Sequence, residues 1–187
     1  MFIQTESTPN PATLKFLPGR TVLDAGSADF RAAEEAGHSP LARKLFEVEG
    51  VSGVFFGQDF ITVTKSEDKG GDWQHLKPAI LGAIMEHYAS GEPAVEGEGH
   101  TQSGEEFFEE KDGAIVETIK ELLETRVRPA VANDGGDITF RGFKEGVVYL
   151  HMRGACSGCP SSTATLKYGI QNLLRHFIPE VREVEAV

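Results

Sequence analysis

Residues 91–110 of this 187-residue chain carry seven acidic and no basic side chains, and from Gly91 to Glu106 they show neither helical nor strand periodicity. Like charges extend such a Gly- and Glu-rich stretch, and a structureless loop of that length is rare inside a compact fold. It is therefore expected to be a flexible acidic linker. On that reading residues 1–90 and 111–187 form two small α+β domains, each of which must bury a core of its own. Most of the net charge of −11 belongs to the linker, because residues 1–90 carry twelve acidic and eight basic groups and residues 111–187 carry ten of each. Neither flank has the positive surplus of a nucleic-acid footprint, so no nucleic-acid partner is expected.

No run of about 18 apolar residues occurs, so no membrane association is expected. Met1–Glu6 lacks the basic-then-apolar order of a signal peptide and the arginine-rich character of a transit peptide, which predicts a bacterial-type, cytoplasmic location. The chain has only two cysteines, three positions apart, so there is no disulfide framework of the secreted kind.

In the first half, Phe2–Glu6 and Thr13–Leu17 read as strands around the Thr8-Pro9-Asn10-Pro11 turn, a hairpin-like pair. Ser39-Pro40 supplies an N-cap and a first-turn proline for a helix from Leu41 to Glu47, and Gly50 is placed to end it. Val51–Phe56 and Phe60–Lys65 follow as strands. Asp72 is expected to cap a helix whose Leu76, Ala79, Ile80, Ala83, Ile84, His87 and Tyr88 share one stripe. Trp73, His75 and His87 are read as core or boundary packing, and no acid–base pair stands out.

The second half opens with a helix whose apolar face is Ile115, Val116, Ile119, Leu122, Leu123, Val127 and Ala130, with Pro129 near its end. Asn133-Asp134-Gly135-Gly136-Asp137 turns into a strand through Phe140. The two aspartates are read as turn geometry and capping rather than as a hard-metal site. Lys144-Glu145-Gly146 leads into Val147–Met152, an inner strand. A helix carrying Leu166, Ile170, Leu173, Leu174 and Phe177 and a strand from Val181 to Val187 complete an order α-β-β-α-β.

The cysteines, Cys156 and Cys159, lie between the inner strand and that helix in Gly154-Ala155-Cys156-Ser157-Gly158-Cys159-Pro160. An iron–sulfur cubane or a structural zinc takes four such ligands, so the other half of a metal site must come from another chain, or there is no such site. Pro160 suits the first helical position and puts Cys159 near the N-cap, where free N–H groups and the dipole favour a thiolate. Gly154 and Gly158 let backbone approach sulfur closely. Arg153 adds a positive charge nearby or is a solvated strand-end residue, and His151 reads as an exposed strand histidine rather than a ligand. Three readings compete: a thioredoxin-like redox pair, a zinc shared between chains, and a cluster bridged between chains. Against the first, only one helix and one strand follow the motif.

Residues 111–187 resemble the C-terminal domain of NifU, the Nfu-type iron–sulfur cluster carriers, through Arg128-Pro129, Asp134-Gly135-Gly136-Asp137, Gly154–Thr163, Thr165-Leu166-Lys167, Gly169-Ile170 and Val184–Val187. Residues 1–90 are similar to the Nfu N-terminal domain through Phe2–Pro11 and Leu14-Lys15-Phe16. The resemblance implies a non-enzymatic scaffold in which Cys156 and Cys159 of two subunits hold one [4Fe-4S] cluster. As partners it implies a second copy of the chain, upstream assembly proteins, and apo iron–sulfur proteins that receive the cluster. The chain lacks the cysteine-rich assembly and ferredoxin-like domains of full-length NifU, which favours carriage over primary assembly. The thiol–disulfide reading uses the same pair. The first half is expected to recognise clients or partners.

Overall fold

The computed structural model describes residues 2–69, 71–97, 106–156 and 160–187. The chain divides into two compact units, Met1–Thr101 and Gln102–Val187. Each has its own apolar core, one around Phe16, Leu41, Phe56 and Ile80, the other around Ile119, Ile138, Leu150 and Leu174.

The first unit runs β1 (Gln4–Ser7), β2 (Thr13–Leu17), β3 (Ala28–Phe30), a 3₁₀ turn (Ala33–His38), α1 (Pro40–Phe46), β4 (Val51–Phe56), β5 (Ile61–Lys65) and α2 (Trp73–Ser90). Its antiparallel sheet has the order β1-β2-β5-β4-β3. The expected hairpin forms with Gln4 opposite Leu17 and Ser7 opposite Leu14. Asn10 closes its turn by accepting the Ala12 N–H at Oδ1, 3.0 Å away, as short polar side chains do in turns. β3, a three-residue edge strand on β4, has no counterpart in the sequence reading, because three residues are too few to show alternation.

Ser39 caps α1 as expected: its Oγ accepts the Ala42 N–H at 3.0 Å. The same hydroxyl donates to the Ala94 carbonyl at 2.5 Å. Asp72 does not cap α2 with its side chain; its backbone carbonyl accepts from His75 and Leu76 instead. The buried stripe of α2 is Leu76, Ile80, Ile84 and His87, while His75 and Ala79, expected to pack, are exposed.

The second unit runs from a 3₁₀ turn (Glu110–Asp112) through α3 (Gly113–Leu122), one π turn (Leu123–Val127), α4 (Arg128–Asn133), β6 (Gly136–Lys144), β7 (Val147–Gly154) and α5 (Pro160–Phe177) to β8 (Glu183–Ala186). With α3 to α4 as one interrupted helix, this is the order α-β-β-α-β. β6 pairs antiparallel with β7, and β8 lies parallel on the other side of β7. Pro129 has no N–H to offer a preceding carbonyl, which accounts for the π turn before it. The wider turn moves the buried face by one position, so Val131 takes the place expected of Ala130. Glu145 (φ 52°) and Gly146 (φ 82°) make the two left-handed positions of a tight hairpin turn.

Both described ends of the segment expected as linker are fastened to neighbouring structure. On one side α2 ends at Gly91 (φ 74°), Ala94 is buried, and Glu96 N–H donates to the His38 carbonyl at 2.7 Å. On the other, Phe107 bridges to Gly142 and exchanges backbone hydrogen bonds with Arg141 and Phe143. Its ring lies where a Cβ on Gly142 would stand. Acidic composition hid these contacts because Ala94, Val95 and Phe107 are too sparse to form a period. Residues 98–105 lie outside the described residues.

Two stability predictions follow from the first unit. Ser39→Ala removes a cap bond and strands a buried carbonyl, and should lower the unfolding free energy by about 1–2 kcal/mol in urea titrations. Burial, aided by Lys44 and opposed by Glu92, lowers the pKa of His87 below its ordinary value of 6.5. Folded His87 is therefore neutral where the unfolded chain binds a proton, so its contribution is fully present above about pH 6.5 and is lost as pH falls below that. Melting curves at about pH 7.5 and about pH 5.5 should show a smaller acid-side loss for His87→Phe than for the parent.

Candidate metal centre

The β6–β7 ladder puts Gly136 opposite Gly154 and Asp137 opposite Arg153. Beyond Gly154, in the left-handed region at φ 67°, Ala155 N–H donates to the Gly135 carbonyl at 3.1 Å. This bond turns the chain back over the start of β6. Cys156 then drops into the core at 6% exposure. A Cβ on Gly136 would stand 2.8 Å from Cys156 Sγ and 2.7 Å from the Arg153 carbonyl oxygen, so only glycine admits this approach. From the other side, Thr163 Oγ1 in the first turn of α5 donates to the Cys156 carbonyl at 2.9 Å.

The turn before Gly136 is fixed by a charged fork. Arg128 Nε and Nη2 donate to the two carboxylate oxygens of Asp137 at 2.9 and 3.1 Å, and Nη1 reaches Glu124 at 2.6 Å. Bidentate guanidinium–carboxylate pairs are both strong and directional. The hydrogen bonds that Arg128 donates to Asp137 raise its pKa above the ordinary value, against the opposing effect of burial. Asp137 thus ties α4 to β6, in line with a structural role. The sequence reading missed Arg128 in this role, because Arg-Pro at a helix interruption and an aspartate nine positions later share no periodicity.

Arg153 is 4% exposed, so the alternative of a solvated strand end does not hold. His151 is half-buried rather than exposed, with Nδ1 2.9 Å from the Val187 carbonyl. Among the described residues no group of three or more His, Cys, Asp or Glu side chains converges as a metal would need. α5 begins at Pro160, as the sequence predicts. Cys159, with Ser157 and Gly158, lies outside the described residues.

Known proteins bear on this geometry. The family model described as "Scaffold protein Nfu/NifU N terminal" matches residues 3–91, and that of the "NifU-like domain" matches residues 119–185. The human protein named "NFU1 iron-sulfur cluster scaffold homolog, mitochondrial" is 55% identical over 187 residues, covering 100% of this chain and 72% of its own length. The chain belongs to the Nfu/NifU family of iron–sulfur cluster scaffold proteins. "NifU-like protein 4, mitochondrial" of Arabidopsis thaliana is 52% identical, over 99% of this chain and 65% of its own. A solved NifU-like protein from Saccharomyces cerevisiae aligns with 52% of the chain and 87% of its own at 30% identity and a TM-score of 0.47, too loosely to carry a fold assignment.

These relatives overturn the expected cytoplasmic location, since both curated ones are named as mitochondrial. They are also longer than this chain, so the character of Met1–Glu6 holds no information on where it works. Among the described residues, no helix is long and apolar enough to cross a membrane.

The contact at Gly136 can be tested directly. Gly136→Ala should cost about 1–3 kcal/mol, because the Arg153 backbone cannot give way as a side chain could. It should also speed alkylation of Cys156 in the cluster-free protein by pushing its thiol out of the core. Urea titration and mass-resolved iodoacetamide labelling check both.

Proposed function

We propose that the chain carries a [4Fe-4S] cluster as cargo, held between two copies that each supply Cys156 and Cys159, and passes it to apo-proteins. The observation that carries this reading is the cysteine count. A family of cluster scaffolds needs thiolates, a cubane takes four, and this chain has two, three positions apart. The zinc reading lacks comparable support, because the human relative is named as an iron–sulfur cluster scaffold homolog. Upstream assembly proteins supply the cluster, and apo iron–sulfur proteins receive it.

Transfer is ligand exchange. A client thiolate binds an iron, a carrier thiolate leaves and is protonated by solvent, and four such exchanges move the cluster without oxidation or reduction. No catalytic residue is assigned. To bind iron, Cys156 must turn outward from Gly136, and on release its side chain regains a buried position. Delivery therefore returns apolar contacts to the carrier. The first unit, which has no thiol, holds clients, and tethering raises their effective concentration near the cluster.

Anaerobically reconstituted protein should approach about two irons and two sulfides per chain and double its mass by light scattering. A fully loaded monomer with about four irons would refute the bridge. Cys156→Ser and Cys159→Ser should each abolish the visible absorbance of the cluster while circular dichroism stays unchanged. A stoichiometric cluster in either variant would refute the ligand assignment. Disulfide reductase activity without iron binding would favour the thiol–disulfide reading.

A fragment from Lys111 onward should load a cluster yet deliver it more slowly than the whole chain at low client concentration. Equal rates for several clients would reduce the first unit to a solubility element.

A further inference from the structure

α5 carries no acidic residue in its 18 positions, although the chain has 29 acidic side chains. Its inner side is Ile170 and Leu174, both buried, and its outer side is Ala164, Thr165, Tyr168 and Asn172, all exposed. Lys167 is drawn to the flank by Glu185, 3.2 Å away. Tyr168, at 64%, is the most exposed large apolar side chain of the second unit among the described residues. A tyrosine on an uncharged background is the composition of an interface core, where aromatic residues are enriched and charge is depleted.

Charge and ligand count decide what covers this face. A chain of net charge −11 repels its own copy, so two copies meet best on a face that sets no like charges against each other. The cluster-bridged reading, on which this inference rests, needs a second copy at the cysteine end of the second unit. Thr163 donates to the Cys156 carbonyl at 2.9 Å, so the outer face of α5 begins next to that end.

Thr165, Tyr168 and Asn172 are spaced three and four apart, the spacing of the seam along which two helices pair. In a parallel pair an asparagine on that seam meets its own copy and fixes the register. An antiparallel pair centred on Tyr168, eight residues past Pro160, would hold the two helix starts about 24 Å apart at about 1.5 Å per residue. Four thiolates could not then reach one cubane. Parallel helices repel at their like dipole ends, and the negative charge of a thiolate-bound cluster beside both starts offsets this. Arg175, next on the seam, would face its own copy and so confines the contact to the half of α5 nearer the cysteines.

We propose that Thr165, Tyr168 and Asn172 form the surface on which the second copy docks, with the two α5 helices parallel and in register across a two-fold axis. The contact is small, and it orients the copies while the thiolates supply the holding bonds.

The test uses the full-length chain reconstituted anaerobically with iron and sulfide. Isotopically labelled and unlabelled copies, each with Tyr168 replaced by p-benzoylphenylalanine, are mixed, loaded and irradiated. Cross-links between copies are expected only in the loaded protein, attached to residues 165–172 of the second copy. Attachment elsewhere, or a loaded dimer without cross-links, would overturn the proposal. In a second measurement, Tyr168→Asp should speed chain exchange of the loaded dimer several-fold, because it sets two carboxylates across the axis, while Tyr168→Phe should leave exchange unchanged. Tyr168 is exposed, so both variants keep the fold by circular dichroism. Unchanged exchange for Tyr168→Asp would overturn the docking face. If the parent still holds about two irons per chain at doubled mass, such a result rejects the face alone and leaves the bridge standing. A parent that loads as a monomer rejects both.

Discussion

The cysteine end of the second unit depends on one close approach, that of Cys156 Sγ to Gly136. It exists because the β6–β7 ladder sets Gly136 opposite Gly154 and because the chain can reverse at Gly154 without a Cβ penalty. Three other bonds converge on that point. The Arg128 fork on Asp137 fixes α4 to β6, the Ala155 N–H on Gly135 fixes the exit of β7, and the Thr163 hydroxyl on the Cys156 carbonyl fixes the start of α5. Each comes from a different element, so the loop is determined from several sides. A side chain larger than hydrogen at position 136 would disturb the ladder and the thiol together.

The first unit is built on other terms. Its sheet and two helices close over a core of Phe16, Leu41, Phe56, Ile61 and Ile80, and Ser39 stitches the start of α1 to the chain beyond α2 through Ala94. That stitch extends the unit into residues whose composition suggested a linker. His87 and the Tyr88 hydroxyl, buried there without a hydrogen-bond partner among the described residues, lie far along the sequence from either cysteine. The proposed soft-ligand site belongs to the second unit alone, whereas the first contributes no cysteine.

The elements legible in the sequence were those with a period or a cap. α1 announced itself through Ser39-Pro40, α5 through Pro160 and its apolar stripe, and the β1–β2 pair through its Asn-Pro turn. What stayed hidden has no local signature. β3 is three residues long, Phe107 finds its place only because Gly142 lacks a Cβ, and the π turn shifts the α3–α4 face by a single position. At the site, the cysteine motif was readable at once, but the inward pose of Cys156 was not. That pose depends on Gly136, twenty positions away, meeting the loop through a strand pairing that no spacing rule encodes.

Burial of Cys156 bears on how a carrier releases what it holds. A cluster bound by four thiolates of one rigid chain would be released only by breaking every bond within a single preorganised site. Two thiolates on each of two chains make retention depend on both copies staying together, so the first exchanges with a client also weaken the link between carriers. In the proposed reading the inward position of Cys156 adds a second bias in the same direction. Ligation draws the thiol out of apolar contact with the core, and each departing Cys156 recovers that contact. On that proposed reading the glycine at 136 has two uses: it gives the empty thiol a place to rest, and it would limit how firmly a cluster is kept.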